Sequence, residues 1–411
     1  MHRAPVYPPD LARYVVDHWP ADRPLQFSAE VLAEALALAY QASFTSEEAR
    51  PTRFRLLLTP VERLPDDGAP NRGVLRLRFD QGRPLTVEEL RRLSPAAPFE
   101  SSLIGAHLDD GRLRIWGVGH SGAAWLAPAW GGRSSVPNWT HDPIIHVTGP
   151  GQLAVRSAGA LIGGLERGVL VDSTIDVFES QWLPAMFVRE REQVQHELAV
   201  RQTQAVAEHS LIGRVGQHML RRSIQLVRNA RHGGMILIVD SGAAIDGLRL
   251  KYRFQPDEPA RRYGSLLLEI LERLAATTAK SALEWSDFAD DASPELERLE
   301  QAVFELSNVI ANLSAIDGAV VVDKRFGLLG FGAEVSPELP TPVRVWRALD
   351  IEGARRTPDE IENVGTRHRA AYRFVQDHRS GVALVISHDG GVTFVANRDS
   401  EIVFWEQSVS P

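Results

Sequence analysis

The sequence contains no cysteine, and this absence excludes several kinds of site. Disulfide bonds, thiolate zinc sites and cysteine nucleophiles all require that residue. Disulfides are rare in reducing compartments, so a chain without cysteine is compatible with a cytoplasmic location. We therefore expect a cytoplasmic protein whose chemistry does not involve sulfur.

Long apolar segments and an excess of positive charge are also missing. No segment reaches the roughly 18 uninterrupted apolar residues of a membrane-spanning helix, and the N-terminal region has no signal-peptide core. The formal net charge is −8, whereas general nucleic-acid binders are usually basic. We expect neither a membrane nor a nucleic acid as a partner.

The length and the composition indicate a globular protein with more than one domain. The chain has 411 residues, of which 44% are hydrophobic and 24% are charged. In the second half, apolar strand-like runs at 235–239 and 382–387 alternate with amphipathic helical segments, which predicts an α/β sheet with helices packed on it. Residues 1–25 are expected to be extended, and the polar segment 182–207 is expected to be a helical connector between domains.

Two short motifs in the second half carry the chemistry. Asp317-Gly318-Ala319 lies within the apolar run 316–322, which predicts a buried strand, and a carboxylate in such a run is costly unless it is paired or binds a metal. Gly365-Thr366-Arg367-His368-Arg369 places two guanidinium groups at a predicted helix N-terminus, where free N–H groups favour phosphate. Together, these groups indicate metal-assisted phosphoryl or nucleotidyl transfer.

The two motifs, in this order, resemble the paired signature of the diadenylate cyclase domain, also called DAC or DisA_N. The resemblance covers residues 208–411 and implies a mixed β-sheet flanked by helices. It also implies an enzyme that condenses two ATP molecules into cyclic di-3′,5′-AMP and releases two pyrophosphates, with Mg²⁺ or Mn²⁺ as cofactor. Because each domain would hold one ATP, two domains must meet face to face in a symmetric contact.

The resemblance assigns roles to individual residues. Asp317 would bind the metal and help to activate the ribose 3′-hydroxyl, and Arg367, His368 and Arg369 would grip the triphosphate. Family members commonly have Ser-Glu-Glu-Thr-Gly where this chain has residues 387–391, so Asp389 replaces one of the two acids and is a second expected metal ligand. The expected nucleotide contacts are Gly318, Ala319, Gly365, Thr366, Ser387 and Gly391.

The first half resembles a different family. Ala42-Ser43 with the segment 47–51, and Ile115-Trp116-Gly117 with His120-Ser121-Gly122, are similar to the sensor domain of the DACNV type that precedes some diadenylate cyclase domains. The resemblance covers about residues 1–195 and implies a separate α+β domain that regulates the cyclase. No motif in this half specifies its ligand.

Two other interpretations remain open at this stage. The substitution of His388 and Asp389 for two acids is compatible with a lapsed cyclase fold that senses ATP or a cyclic dinucleotide without turnover. A nucleic-acid-binding checkpoint protein is a third interpretation. The acidic balance of the chain and the lack of a helix-hairpin-helix segment after residue 405 argue against it.

Overall fold

A computed structural model describes most of the chain, and it is an α/β protein with mixed sheets, as the sequence predicts. The chain divides into two units, the first formed by 1–127 and 135–174 and the second by 128–134 and 175–411. The residues described are 5–22, 25–64, 75–99, 101–120, 131–132, 141–157, 160–166, 168–171, 175–201, 205–242, 245–278, 280–291, 293–361 and 364–407.

An eight-stranded sheet covered by helices forms the first unit. Its strand order is β10-β9-β8-β7-β3-β5-β6-β4, with β3 and β5 parallel and the other neighbours antiparallel. The strands of this sheet are β3 (Phe54–Leu58), β4 (Leu75–Pro84), β5 (Ser102–Asp109), β6 (Arg112–His120), β7 (Ile144–Gly149), β8 (Gln152–Ser157), β9 (Ala160–Glu166) and β10 (Val169–Val171). Two short strands, β1 (Ser46–Glu47) and β2 (Arg50–Pro51), pair separately.

The helices of the first unit show where the sequence patterns succeed and where they fail. They are α1 (Pro8–Asp17), α2 (Ala29–Ser43) and α3 (Val87–Leu93). Ser28, a residue type that favours N-caps, caps α2, since its hydroxyl accepts a hydrogen bond from the Val31 N–H. The prediction that residues 1–25 are extended is wrong for α1. Proline is tolerated in the first helical turn, and Leu11 and Val15 are buried one turn apart.

A nine-stranded mixed sheet forms the centre of the second unit. Its order is β13-β16-β15-β12-β19-β20-β21-β17-β18, with the pairs β12–β15 and β17–β21 parallel. The strands are β12 (Gly234–Val239), β13 (Leu248–Arg253), β15 (Ala319–Asp323), β16 (Leu328–Val335), β17 (Val345–Ala348), β18 (Arg356–Asp359), β19 (Val382–Ile386), β20 (Val392–Arg398) and β21 (Glu401–Gln407). Strands β11 (Val206–Ala207) and β14 (Ala282–Leu283) form a separate parallel pair.

Helices cover both faces of this sheet. Ile236 and Ile238 of β12 point into a core shared with the helices His209–Ala230, Glu258–Thr277 and Pro294–Leu313, whereas Met235 and Leu237 point into a second core beneath the helix Thr366–Asp377. This alternation explains why β12 reads as a continuous apolar run. The helices are α4 (Trp182–Ala185), α5 (Val188–Val200), α6 (His209–Ala230), α7 (Glu258–Thr277), α8 (Trp285–Asp290), α9 (Pro294–Leu313) and α10 (Thr366–Asp377).

The segment 182–207 differs from the predicted connector. It contains α4, α5 and β11 rather than one helix, and it belongs to the second unit. Trp182 is 2% exposed and stacks on Trp405 of β21, with ring centroids 4.4 Å apart. The polar, charge-rich composition of the segment 182–207 suggested a solvated helix. A few large apolar side chains of this segment nevertheless pack in the core.

Two glycines one turn apart in α6 have opposite surroundings, which gives a matched stability prediction. A Cβ atom at Gly213 would meet the Arg191 side chain at an ordinary 3.6 Å, whereas one at Gly216 would lie 2.7 Å from the Phe326 ring. We expect Gly213→Ala to raise the free energy of unfolding by about 0.5–1 kcal/mol, because glycine disfavours helix interiors. Gly216→Ala should lower it by about 1–3 kcal/mol through overpacking. Urea denaturation of both variants checks the pair, and equal signs would contradict it.

Candidate functional site

A cleft of about 670 Å³ opens at one edge of the nine-stranded sheet. Strands β12 and β15 run parallel to each other, while β16 and β19 run antiparallel to them. The segment before β15, the end of β16 and the segment after β19 therefore lie at the same edge. The first turns of α10 also line the cleft there. The lining residues are Met235, Asp317, Gly318, Ala333, Glu334, Val335, Gly365, Thr366, Arg367, His368, Ala370, Arg373, Val385, Ile386, Ser387 and His388. The two motifs predicted to act together therefore meet in one cleft.

Asp317 reaches the cleft through a tight turn at Gly318. Gly318 has φ +112°, and a Cβ atom there would lie only 2.6 Å from the Gly332 carbonyl carbon. Only glycine fits this position without a shift of β16. The prediction that Asp317 lies inside a buried strand is wrong. Strand β15 begins at Ala319, and Asp317 is exposed just before it, so its carboxylate is open to solvent and to ligands.

Arg367 lies against a second glycine with positive φ. Gly233 has φ +64°, and a Cβ atom there would lie 2.6 Å from Arg367 Nη1 and 2.9 Å from the Ile386 carbonyl oxygen. The guanidinium group thus occupies the space of a missing side chain. The left-handed residue at the C-terminus of α6 is Arg231, and Gly233 provides the space beside Arg367.

Helix α10 begins at the cleft without a side-chain cap. Gly365 is the N-cap, with φ −64° and ψ 163°, and none of the described side chains accepts a hydrogen bond from the first amides. A Cβ atom at Gly365 would meet nothing within 4 Å. The first N–H groups therefore lie beside open space, which is the arrangement that favours an anion.

This arrangement predicts opposite effects of Gly365→Ser on stability and on ligand binding. Serine is a good N-cap and the backbone geometry suits it, so we expect the free energy of unfolding to rise by a few tenths of a kcal/mol. The serine hydroxyl would accept a hydrogen bond from a backbone N–H of the first turn, so the affinity for an anionic ligand of the cleft should fall. Thermal melts and nucleotide titrations of the variant check both signs. Stronger nucleotide binding would contradict an anion at this helix end.

His368 is a hydrogen-bonding residue rather than a cation. Its Nε2 lies 3.2 Å from the Thr393 hydroxyl. Burial lowers the pKa of His368, against the opposing charges of Glu406 and Asp389, so the ring is uncharged at neutral pH. The positive charge of the predicted Arg-His-Arg grip therefore comes from its arginines.

The remaining predicted site residues lie outside the lining of the cleft. Arg369 donates from Nη1 to the Val364 carbonyl oxygen at 2.8 Å, and Ala319 is buried at the start of β15. The Asp389 carboxylate accepts a hydrogen bond from the Gly391 N–H at 3.1 Å, within the turn between β19 and β20. The structure therefore brings together Asp317, Gly318, Gly365, Thr366, Arg367, His368 and Ser387, but not Ala319, Arg369, Asp389 or Gly391.

Two charged residues of the cleft were missed by the sequence analysis. Arg373 lines the cleft on the same face of α10 as Thr366 and Ala370. The spacing of four and then three residues, which places them on one helical face, is visible in the sequence. Glu334 lies at the end of β16, where Lys251 Nζ at 3.1 Å and Arg249 at 2.9 Å hold its carboxylate. The hydrogen bond from Lys251, together with the charge of Arg249, lowers the pKa of Glu334.

The cleft has few side chains that could act as ligands of a metal ion. Among the residues that the structure describes, no group of three or more His, Asp or Glu side chains could hold an ion. Asp317 provides one exposed carboxylate in the cleft, whereas the Glu334 carboxylate already forms ion pairs with Arg249 and Lys251. Magnesium is commonly bound by one or two carboxylates together with substrate phosphates. The single exposed carboxylate of Asp317 fits an ion of that kind, for which a phosphate ligand would supply further oxygens.

Comparison with known protein families assigns part of the first unit. Residues 22–120 match the family described as "Probable sensor domain DACNV". This match confirms the resemblance of the N-terminal half over that range, although Ser121 and Gly122 of the quoted motif lie outside both the match and the described residues. No curated protein matches the chain. Within the described parts of the chain, no helix is both long and apolar enough to cross a membrane.

Inside the DACNV range, the structure shows polar partners for His120, the one described polar residue of the motif 120–122. The Ser102 hydroxyl lies 2.9 Å from Nδ1 of His120, and Arg55 of β3 is fully buried and donates from Nε to the Ser102 carbonyl oxygen at 3.1 Å. These contacts join β3, β5 and β6 at one place. They give the DACNV range an internal polar network.

Proposed function

We propose that the second unit is a diadenylate cyclase that binds ATP in the cleft, and that the DACNV domain regulates it. The observation that carries this proposal is the meeting of Asp317 with Arg367 and the uncapped start of α10 around one cleft. A volume of about 670 Å³ lies within the range of pockets that bind nucleotide-sized ligands.

The phosphates of ATP would bind at the start of α10. The free amides at Gly365 and Thr366 donate to phosphate oxygens, and Arg367 adds a charged donor pair whose position Gly233 and Ile386 fix. The uncharged His368 donates or accepts a single hydrogen bond. The absence of a side chain at Gly318 keeps the wall open beside Asp317.

The reaction joins the two nucleotides by in-line displacement. The 3′-hydroxyl of one ATP loses its proton to water and its oxygen forms a bond to the α-phosphorus of the other ATP. The bond from that phosphorus to the bridging oxygen breaks, and pyrophosphate leaves. Arg367 stabilises the charge that develops on the leaving group. A divalent ion held with the nucleotide would neutralise phosphate charge and acidify the hydroxyl, and Asp317 is the cleft carboxylate that would hold it. Two cleft-bearing units must face each other to close the ring.

A nucleotide sensor without turnover is the second candidate function, and one observation favours it. Asp389 is turned toward Gly391 within its own loop, and His388 Nδ1 lies 3.0 Å from the Arg231 carbonyl oxygen. The loop after β19 therefore contributes no carboxylate to the cleft as it stands. Binding of ATP would be retained in this case, but no bond would be made or broken.

Incubation of the purified full-length protein with ATP and Mg²⁺ or Mn²⁺ separates these functions. We expect cyclic di-AMP and two pyrophosphates per cyclic product, detected by chromatography and mass spectrometry. Binding of ATP without any product at either metal would favour the sensor. Release of ADP or of free AMP as the main product would contradict the cyclase.

A further inference from the structure

Helix α10 lines the cleft with a strip of residues whose length along the helix axis exceeds the diameter of one phosphate group. Thr366, Ala370 and Arg373 all line the cleft, and they follow one another at helical spacing on one face. Seven residues separate Thr366 from Arg373, which places their Cα atoms about 10 Å apart along the helix axis. Both ends of this strip therefore face the same cleft.

Arg373 differs from Arg369 of the same helix in its partners. Among the described residues, the buried Nε of Arg373 has no hydrogen-bond partner. Arg369, by contrast, donates from Nη1 to the Val364 carbonyl oxygen. A buried donor on a charged group is costly when it has no acceptor, and an anion in the cleft would supply one.

We propose that Arg373 binds a phosphate remote from the start of α10 and so makes the cleft selective for nucleoside triphosphates over monophosphates. This inference rests on the proposed function of the cleft. With this spacing, one phosphate of a polyphosphate chain would bind at the first amides of α10 while a second binds at Arg373, whereas a monophosphate would leave one of the two places without a phosphate. Arg373 is therefore a specificity residue of the cleft that neither motif contains.

Calorimetric titration of the full-length protein with ATP, ADP and AMP, without divalent metal so that no turnover occurs, tests the inference. We expect Arg373→Gln to weaken ATP binding by about 10- to 100-fold and AMP binding by less than about twofold, since a charged donor to phosphate is lost. Arg379→Gln is the matched control, because Arg379 is exposed just after α10 and outside the cleft lining. It should leave all three affinities unchanged.

The outcomes distinguish this inference from the proposed function. If the wild-type protein binds none of the three nucleotides, both fail. If it binds ATP and Arg373→Gln binds ATP equally well, or loses ATP and AMP to the same extent, only the role of Arg373 is refuted. Arg373→Lys keeps the charge without the fork of donors, so a partial loss of ATP affinity in that variant supports the inference even if Arg373→Gln does not fold.

Discussion

Replacement of Asp317 by asparagine is expected to abolish formation of the cyclic dinucleotide while the fold and ATP binding are retained. The side chain is exposed and the change is nearly isosteric, so little packing is lost. The carboxylate charge is lost, and with it the cleft group assigned to the metal and to the 3′-hydroxyl. Loss of a group that assists proton removal typically lowers rates by about 10²–10⁴-fold.

The measurement is the initial rate of cyclic product with saturating ATP, together with ATP affinity in the absence of metal. Glu338→Gln provides the control, since Glu338 is an exposed carboxylate shortly after β16 and outside the cleft lining. A rate of Asp317→Asn within about threefold of wild type would remove Asp317 from the reaction. A parallel loss of ATP binding would place it in nucleotide recognition instead.

Removal of residues 1–204 is expected to unfold the second unit, whereas removal of residues 1–174 should not. The shorter deletion removes only residues 128–134 from the second unit. It keeps Val177, Phe178 and Trp182, which are at most 5% exposed and pack in the main core. It also keeps the hydrogen bond from the Val177 N–H to the Gln407 side chain at 2.7 Å. Loss of one large buried aromatic costs about 3–5 kcal/mol, so the loss of this whole segment approaches the entire stability of a domain.

Thermal unfolding and size-exclusion chromatography of the two truncated proteins test this expectation. The protein that starts at 175 should show a cooperative melt and elute as a folded species. The protein that starts at 205 should aggregate or lack a transition. A cooperative melt for the latter, within about 5 °C of the former, would show that α4 and α5 are dispensable.

Much of the second unit could be predicted from the sequence because its sheet is buried on both faces. Strands β12 and β19 are continuous apolar runs, and the hairpin of β19 and β20 follows from two such runs around glycines. The helices α4 and α5 were harder to interpret. Their composition is polar, and only a few of their side chains, such as Trp182 and Leu198, pack in the core. No local sequence pattern specifies which side chains these are.

The candidate site was predictable in its motifs but not in every residue. Asp317 and Arg367 share a cleft because strand order brings their segments to one edge of the sheet. Which face of α10 lines that cleft depends on how the helix packs, and this packing selects Arg373 over Arg369. The direction of the Asp389 side chain depends on a local turn hydrogen bond, which spacing alone does not reveal.

The glycines around the cleft affect how an alanine scan of this protein must be interpreted. Gly233, Gly318 and Gly332 have φ values of +64°, +112° and +62°, so alanine is strained at each of them whether or not a ligand binds nearby. Loss of activity at these three positions would report on backbone geometry alone. Gly365 has ordinary φ and open space around it, so a loss there would report contact with the bound molecule.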